Sequence, residues 1–185
     1  MSSWRQFDPD RLANDVPAGS AVRARARVLG IDPGSRRTGF GVIDCDGNDH
    51  THIAHGCIAA EGDALAARLR TIFEGIQRLI ADYRPDEVAI ERVFVNRNVD
   101  SAMKLGQARG AALCAVPLGT AVFEYAPRAI KLAVVGSGGA EKNQVAHMMK
   151  VLLQLGAIPG PDASDALAVA LCHAHSRRLQ LLVSR

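Results

Sequence analysis

Short apolar runs bounded by turn residues mark the first part of the chain. Residues 28–32 (VLGID) form an apolar run that ends on an acid and is followed by Pro-Gly, which predicts a short buried strand and then a turn. Runs at 38–43 and 52–59, with an Asp-Gly pair between them, predict two further strands joined by a hairpin. These runs are expected to form a three-strand meander.

Helical periodicity alternates with short strands in the rest of the chain. Large apolar side chains recur at helical spacing over 63–83, which predicts an amphipathic helix. Strands are predicted at 87–91 and 120–125, with a helix over 100–116 between them. The remaining elements are helical and comprise a short turn after Pro127 and helices over 140–155 and 162–179. This order predicts an α/β fold with a mixed five-stranded sheet flanked by helices.

The composition is that of an ordinary globular chain. Of the 185 residues, 48% are hydrophobic and 22% are charged, which excludes wholesale disorder, and no apolar run reaches the roughly 18 residues of a membrane span. The formal net charge of +3 neither requires nor excludes a polyanionic partner. The four cysteines lie far apart without a C-x-x-C pair, so they favour a reducing, cytoplasmic environment over a disulfide framework or a zinc ribbon.

The first 27 residues differ from the remainder, which is expected to form one domain over 28–180. Residues 1–27 combine prolines with scattered charges and show no sustained periodicity, so they predict a flexible N-terminal arm. The arginine-rich run at 23–27 (RARAR) could contact phosphate, or the whole arm could be a solvated tail.

Four acidic side chains stand where a sheet fold would bring them together. Asp32 closes the first predicted strand and Glu91 the fourth, and ligands in open α/β sheets collect beyond the carboxyl ends of strands. Asp162 and Asp165 lie in the first turn of the last helix, where acids also commonly stabilise the helix dipole. That helix continues as a small, apolar segment, which predicts deep packing against the sheet and places its first turn at the same rim.

Clustered carboxylates repel one another and favour a bound cation. Ligand sets made only of oxygen select Mg²⁺ or Mn²⁺ over zinc. Two such ions about 4 Å apart are the usual means of in-line displacement at phosphate, with one ion activating water and the other stabilising the leaving 3′ oxygen. The acids therefore predict two bound Mg²⁺ ions, for which Mn²⁺ can substitute, with the carboxylates as ligands and not as proton donors.

Five segments, in order along residues 28–176, resemble the RuvC family of crossover junction endodeoxyribonucleases, the Holliday junction resolvases. The segments are 30–43 (GIDPGSRRTGFGVI), 89–94 (AIERVF), 100–110 (DSAMKLGQARG), 140–145 (AEKNQV) and 162–168 (DASDALA). Any one of them alone would carry little weight, but together they are highly specific. The N-terminal arm departs from the family pattern, because family members usually begin near the first strand.

The resemblance implies a ribonuclease-H-like fold and a homodimer. It implies paired, symmetric, Mg²⁺-dependent nicks in four-way DNA junctions during homologous recombination and DNA repair, with the RuvA–RuvB branch-migration complex as a partner. The metal-binding catalytic residues that it implies are Asp32, Glu91, Asp162 and Asp165.

The same resemblance marks Phe94 as a wedge against a junction base and Lys131 and Lys142 as DNA contacts. On the residues alone, Phe94 between two arginines suits stacking on an unpaired base, but a loop phenylalanine packed into the core is the simpler interpretation. Arg97 and Lys104 join the two lysines as a candidate phosphate track, although each charge could equally be solvated.

Small residues are spaced by four along the second predicted helix. Ala102, Gly106 and Gly110 form a stripe that permits close approach of another backbone, although each glycine costs helix stability relative to alanine. The approach could be to this chain's own sheet or to the same helix of a second copy, and the resemblance favours the second copy. A two-fold dimer would also match the two cuts that a four-way junction requires.

Two other functions stand beside the nuclease. The turn at 32–34 (DPG), with Gly39 and Gly41, also resembles the phosphate loop of actin-like sugar kinases, but these need two such domains around a cleft and this length provides one. A module that binds branched DNA without cutting it would be expected to lack one of the four acids, and all four are present. The nuclease is therefore the preferred hypothesis.

Overall fold

The computed structural model describes residues 25–93 and 99–183, with side chains up to residue 177. The strands are β1 (Arg25–Asp32), β2 (Arg37–Asp46), β3 (Asp49–Ala59), β4 (Glu87–Glu91) and β5 (Ala121–Tyr125). The helices are α1 (Leu65–Tyr83), α2 (Val99–Cys114), α3 (Pro127–Val135), α4 (Lys142–Leu152) and α5 (Pro161–Val183). The strands form one mixed sheet in the order β3-β2-β1-β4-β5 with helices on both faces, which confirms the predicted architecture.

β1 is the central strand and runs parallel to β4. Its other neighbour, β2, is antiparallel and continues into β3 through a hairpin, while β5 adds to β4 in parallel. In the β1–β4 ladder Gly30 lies opposite Ala89, so the last residues of the two strands, Asp32 and Glu91, reach the same rim. The predicted meander is confirmed, and so is the parallel pairing on which the convergence of the two acids depends.

Each face of the sheet carries its own hydrophobic core. On one face α3, α4 and α5 pack over side chains that include Val28 and Ile43. On the other face α1 and α2 pack over side chains that include Leu29 and Val42. Neighbouring residues of β1 and of β2 therefore serve opposite cores, as the alternation of side chains along a strand requires.

Helix α5 can lie directly against the sheet because the strand residues beneath it include three glycines. A Cβ on Gly41 would lie 2.7 Å from Cδ2 of Leu167, and Cβ atoms on Gly30 and Gly39 would overlap the backbone oxygens of the helix. Residues 166–172 of α5 are all buried. The predicted deep packing of this helix is confirmed, and it fixes where the start of α5 meets the rim of the sheet.

β1 begins earlier than the apolar pattern predicts, so the boundary at residue 28 is wrong. Arg25 and Arg27, placed in the arm above, pair in the ladder with Asp46 and Asp44, and their side chains form ion pairs with the same acids at 2.6 Å. Charged pairs extend the hairpin beyond its apolar part, and apolar periodicity cannot detect them. Residues 1–24 of the predicted arm lie outside the described ranges.

The segment after Pro127 is a nine-residue helix and not a short turn. Pro127 stands at the start of α3, where its missing N–H is not needed, and Gly136 ends the helix in the left-handed region with a φ of 78°. The other predicted elements agree with the structure to within a few residues at each end. Among the helices in residues 25–93 and 99–183, none combines the length and the apolar character that a membrane crossing needs.

Candidate active site

Three carboxylates meet at the rim where the parallel strands end. Asp32 is the last residue of β1, Glu91 is the last residue of β4, and Asp165 lies near the start of α5. All three line a cavity of about 240 Å³ whose other walls come from α3 and α4. The structure thus brings together three of the four acids named from the sequence, although they are far apart along the chain.

Asp32 and Glu91 form a hydrogen-bonded carboxyl–carboxylate pair. Burial raises the pKa of Asp32 to about 9, and the hydrogen bond with Glu91, the charge of Glu91 and the charge of Asp165 add to this effect. Burial also raises the pKa of Glu91, although its hydrogen bond with Asp32 works in the opposite direction. The pair therefore shares a proton at neutral pH, because two adjacent carboxylates in a buried site do not both ionise readily.

Two lysines bring positive charge to the same cavity. Lys142, the first residue of α4, places Nζ 2.7 Å from Oδ2 of Asp165, and this hydrogen bond raises the pKa of Lys142. Lys131 of α3 also lines the cavity, and both lysines oppose the rise in the pKa of Glu91. The Lys142 side chain is 75% exposed against 22% for Asp165, so the cation lies at the mouth and the acid further in.

Asp162, the fourth acid, faces a different partner. Its Oδ2 accepts a hydrogen bond from Nε of Arg37 at 2.6 Å. The thiol of Cys57 contacts both groups, and burial followed by the charge of Asp162 raises the pKa of that thiol. Arg37 is the first residue of β2, so Asp162 is held over the β2–β3 side of the rim, apart from the cavity that the other three acids line.

The donor chemistry of this rim suits a hard divalent cation. Carboxylate oxygens are the ligands that Mg²⁺ prefers, and burial, with a smaller contribution from the charge of Asp165, raises the pKa values of both Asp32 and Glu91. Within the described ranges no three His, Cys, Asp or Glu side chains are already arranged to hold a metal ion. In the described structure Lys142 and Arg37 form ion pairs with two of the acids, and a hydrogen bond joins the other two. A cation bound at this rim would take over from those positive charges.

The remaining predicted DNA contacts fall in different places. Phe94 and Arg97 lie outside the residues that the structure describes. Lys104 lies on α2, where its Nζ is 2.6 Å from Oδ2 of Asp100 one helical turn earlier. The two other predicted lysines are the pair at the acidic cavity, so they stand beside the candidate reacting centre.

The small-residue stripe of α2 is open on the surface of the chain. A Cβ on Gly106 or Gly110 would meet no described atom within 4 Å, so these glycines do not serve contact with this chain's own sheet. Val99 and Met103 on the same helix are 63% and 61% exposed. Of the two alternatives considered for the stripe, contact with this chain's own sheet is not made by the described residues, and approach to a second copy stays a prediction.

Two sets of long-range contacts, one at this rim and one at the opposite rim, were not predicted from the sequence. Arg37 pairs with an acid 125 residues away, and nothing in its local pattern signals that contact. At the opposite rim of the sheet, Oε2 of Glu87 lies 2.6 Å from both Nε2 of His173 and Nε of Arg177. The Tyr125 hydroxyl lies 2.7 Å from Nδ1 of His173. A carboxylate at the start of a buried strand must be paired with positively charged or hydrogen-bonding groups. The position of Glu87 before an apolar run is therefore the sequence signal that could have indicated this cluster.

Comparison with known proteins agrees with this geometry. The family model described as "Crossover junction endodeoxyribonuclease RuvC" matches residues 28–173. The crossover junction endodeoxyribonuclease RuvC of Methylococcus capsulatus is 54% identical over 160 residues, which is 86% of this chain and 96% of the relative.

Solved structures share the arrangement of elements. The T. thermophilus RuvC in complex with a Holliday junction substrate is 33% identical, with a TM-score of 0.78 over 84% of this chain and 97% of that one. The yeast mitochondrial Holliday junction resolvase Ydc2 is 13% identical, with a TM-score of 0.63 over 96% of this chain and 90% of that one, which is a likeness of fold alone. The predicted ribonuclease-H-like fold is confirmed.

Proposed function

The chain belongs to the RuvC family of crossover junction endodeoxyribonucleases, and from this membership we propose that it resolves four-way DNA junctions by paired, symmetric, Mg²⁺-dependent nicks. The reaction serves homologous recombination and DNA repair. The four cysteines are all free, which favours a reducing environment, and the enzyme is assigned to the cytoplasm on that ground.

The observation that carries the proposal is the meeting of three half-buried carboxylates at one rim. Asp32, Glu91 and Asp165 line one cavity, and the first two face each other across a hydrogen bond. Acids with a purely structural role are paired with cations, since burying like charges together costs stability. Asp32 and Glu91 are instead buried against each other. This arrangement supports a role in which a divalent cation relieves the repulsion between the carboxylates.

The four acids are assigned as the metal-binding catalytic set. Asp32, Glu91 and Asp165 would hold Mg²⁺ in the cavity, and Asp162 would join them once it leaves Arg37. Two Mg²⁺ ions per site are proposed, and Mn²⁺ can substitute for them. When bound, these ions would supply an activated water and stabilise the leaving 3′ oxygen. The chain's own contribution is to hold carboxylate oxygens from two strands and one helix at fixed positions against the sheet.

The DNA backbone is assigned to the positive charges around the cavity. The Lys142 side chain is 75% exposed and forms an ion pair with Asp165 at the mouth of the cavity. A phosphate that approaches the cavity would therefore contact this lysine first. Lys131 lines the same cavity, and Arg97 and Lys104 are assigned to the DNA backbone from the sequence alone. Such contacts supply much of the affinity for DNA and make it fall with salt. Phe94 is assigned to stack on a junction base, on the strength of the family resemblance.

Two copies of the chain are assigned to a C2 dimer through α2. The open glycines Gly106 and Gly110 and the exposed side chains of Val99 and Met103 form a stripe of small and apolar residues along this helix. A two-fold dimer presents two active sites to the two strands that must be cut. The RuvA–RuvB branch-migration complex is assigned as a partner from the family resemblance.

A single assay separates this function from its alternatives. The purified chain is incubated with a labelled synthetic four-way junction, or with a linear duplex, in Mg²⁺ or in Ca²⁺. We expect symmetric nicks in two opposite strands of the junction in Mg²⁺, and binding without cleavage in Ca²⁺, which coordinates with looser geometry. Binding without cleavage in both metals would identify a junction-binding module. Equal cutting of the linear duplex would contradict junction specificity.

A further inference from the structure

Histidines cluster on the edge strand β3, away from the carboxylate cavity. His50, His52 and His55 all belong to this strand. The ring of His50 packs against that of His175 on α5, with centroids 5.5 Å apart. Nδ1 of His55 lies 2.7 Å from Nε2 of His52, so two ring nitrogens from different residues point at each other. The proposed nuclease reaction uses none of these side chains.

A β-bulge brings His52 and His55 to the same face of β3. In a regular strand, residues three apart point to opposite faces. Here the β2–β3 register shifts between Val42 and Ile43, which leaves Ile53 as an extra residue on β3. An extra residue of this kind restores the two histidines to one side, and bulges often re-aim side chains at functional positions.

The face that both histidines share is the one covered by α5. His55 lies opposite Gly41, and a Cβ on Gly41 would touch Leu167 of that helix. His52 lies opposite Ile43, which belongs to the core beneath the same helix. The strand pairing and the contact between the two rings therefore both place His52 and His55 on the same face of β3.

The histidine pair borders a cavity that can admit a small cation. This cavity has a volume of about 490 Å³, and its other wall is the loop 153–159 that leads towards α5. His55 is exposed and His52 is half-buried, so the nitrogen atoms can be reached from solvent. A neutral imidazole ring carries a nitrogen lone pair that can coordinate a metal, and histidine is the commonest metal ligand in proteins.

We propose that His52 and His55 form a binding site for a first-row transition-metal cation of the zinc class, separate from the carboxylate cavity. One N–H···N hydrogen bond joins the two rings across 2.7 Å. Nitrogen ligands lie about 2.0–2.1 Å from Zn²⁺, so two of them in a tetrahedral site are roughly 3.3 Å apart. A small opening of the pair and loss of the bridging proton therefore make room for the ion.

Ligand chemistry distinguishes the two sites. Imidazole nitrogen selects Zn²⁺, Ni²⁺ or Cu²⁺, whereas the carboxylate oxygens at the rim select Mg²⁺. No third His, Cys, Asp or Glu among the described residues is in place to complete the histidine site. Water from the cavity would therefore fill the other coordination positions, which makes this an open, exchangeable site and not a closed structural zinc site.

The test is a Zn²⁺ titration of the full, metal-stripped chain in excess Mg²⁺, followed by calorimetry. We expect one Zn²⁺ to bind, and His52→Gln and His55→Gln each to weaken binding by at least about tenfold. His147→Gln is the matched control, because His147 is an exposed histidine on α4, and it should bind as the parent chain does. Equal affinity in the parent and in both β3 variants would overturn the proposal.

A second readout separates this site from the nuclease. Ni²⁺ should broaden the ring-proton NMR signals of His52 and His55 and leave those of His147 sharp. Asp32→Asn should keep the Zn²⁺ site while losing cleavage, so the two proposals can fail independently. Loss of Zn²⁺ binding in Asp32→Asn but not in His55→Gln would assign the ion to the carboxylate cavity and refute the histidine site. His55 is exposed, so its variant is expected to fold even if the one at His52 does not.

Discussion

The two ends of β4 hold acids of the same type in opposite electrostatic states. Glu91, at the carboxyl end, faces Asp32, and burial raises the pKa of both groups. Burial also tends to raise the pKa of Glu87 at the other end, but hydrogen bonds from His173 and Arg177 outweigh it, and that pKa is lowered. Helix α5 supplies a neighbour at each end of β4. This neighbour is an acid, Asp165, near Glu91, whereas His173 and Arg177 contact Glu87, so the pKa values of the two glutamates shift in opposite directions.

Glu87 is an acid whose buried charge is matched by its partners, whereas Asp32 and Glu91 are acids whose burial lowers the stability of the fold. The partners of Glu87 are 1% and 4% exposed, so the cluster is buried and its charges are matched. At the carboxylate rim Lys142, which pairs with Asp165, is 75% exposed, and Asp32 and Glu91 share a proton. The fold therefore satisfies one rim by itself and leaves the other in need of positive charge, which is the physical basis for assigning metal binding there.

The largest expected effect comes from removing one acid at the carboxylate rim. Asp32→Asn takes away a proposed metal ligand and leaves the lysines in place, so cleavage of a four-way junction should fall by at least about a thousandfold while junction binding is kept. Rates come from single-turnover cleavage, and affinity comes from gel shift in Ca²⁺. Asp82→Asn, at an exposed position of α1, is the control. Cleavage by Asp32→Asn at the parent rate would contradict the metal assignment.

The fold was largely predictable because its signals are local. Apolar runs gave all five strands, and the small apolar character of α5 gave its deep packing. The start of β1 was missed because its first residues are held by ion pairs of Arg25 and Arg27, which leave no apolar period. Signals carried by charge pairing across a hairpin are invisible to a search for apolar periodicity.

The candidate site was predictable only in part, because its pairings are long-range. Asp32 and Glu91 could be named from the sequence since each ends an apolar strand, and parallel pairing then brings them together. The contact of Arg37 with Asp162 could not be named, because it depends on how α5 lies over β2. The cluster around Glu87 was missed for the same reason, since its partners come from the far end of the chain.

The next largest effect should come from breaking the other rim. Glu87→Ala leaves His173 and Arg177 buried without their acid, which is expected to lower the free energy of unfolding by about 3 kcal/mol. Urea denaturation measures this. Glu74→Ala is the matched control, because Glu74 forms an exposed ion pair on α1 and should change stability by less than about 1 kcal/mol. Equal losses of stability in Glu87→Ala and Glu74→Ala would contradict the claim that the cluster around Glu87 stabilises the fold.

A smaller effect should appear in how stability depends on pH without metal. Between the ordinary aspartate pKa, near 3.9, and about 9, folded Asp32 keeps a proton that the unfolded chain has lost. The folded state then binds more protons, so the free energy of unfolding falls as pH rises through this window. Glu87, whose pKa is lowered, has the opposite sign, and its contribution is lost as pH falls through its folded pKa.

Asp32→Asn should therefore be more stable than the parent chain in chelator near pH 8, with the difference closing towards pH 4. Saturating Mg²⁺ should reduce or reverse the difference, because only the parent chain keeps the full ligand set. Urea denaturation across this pH range, with and without Mg²⁺, provides the measurement. Equal stability of the two chains at every pH would mean that Asp32 is ionised in the folded protein.

The smallest effect on stability should come from the cation at the carboxylate rim. Lys142→Gln breaks an ion pair whose lysine is 75% exposed, so the free energy of unfolding should change by less than about 1 kcal/mol. The same substitution should raise the pKa values of Asp32 and Glu91, because Lys142 opposes the rise in both. Carboxyl ¹³C NMR titration detects this shift, and Lys150→Gln, on the same helix, is the control. A loss of stability as large as that of Glu87→Ala would show that Lys142 neutralises its rim as fully as His173 and Arg177 neutralise theirs.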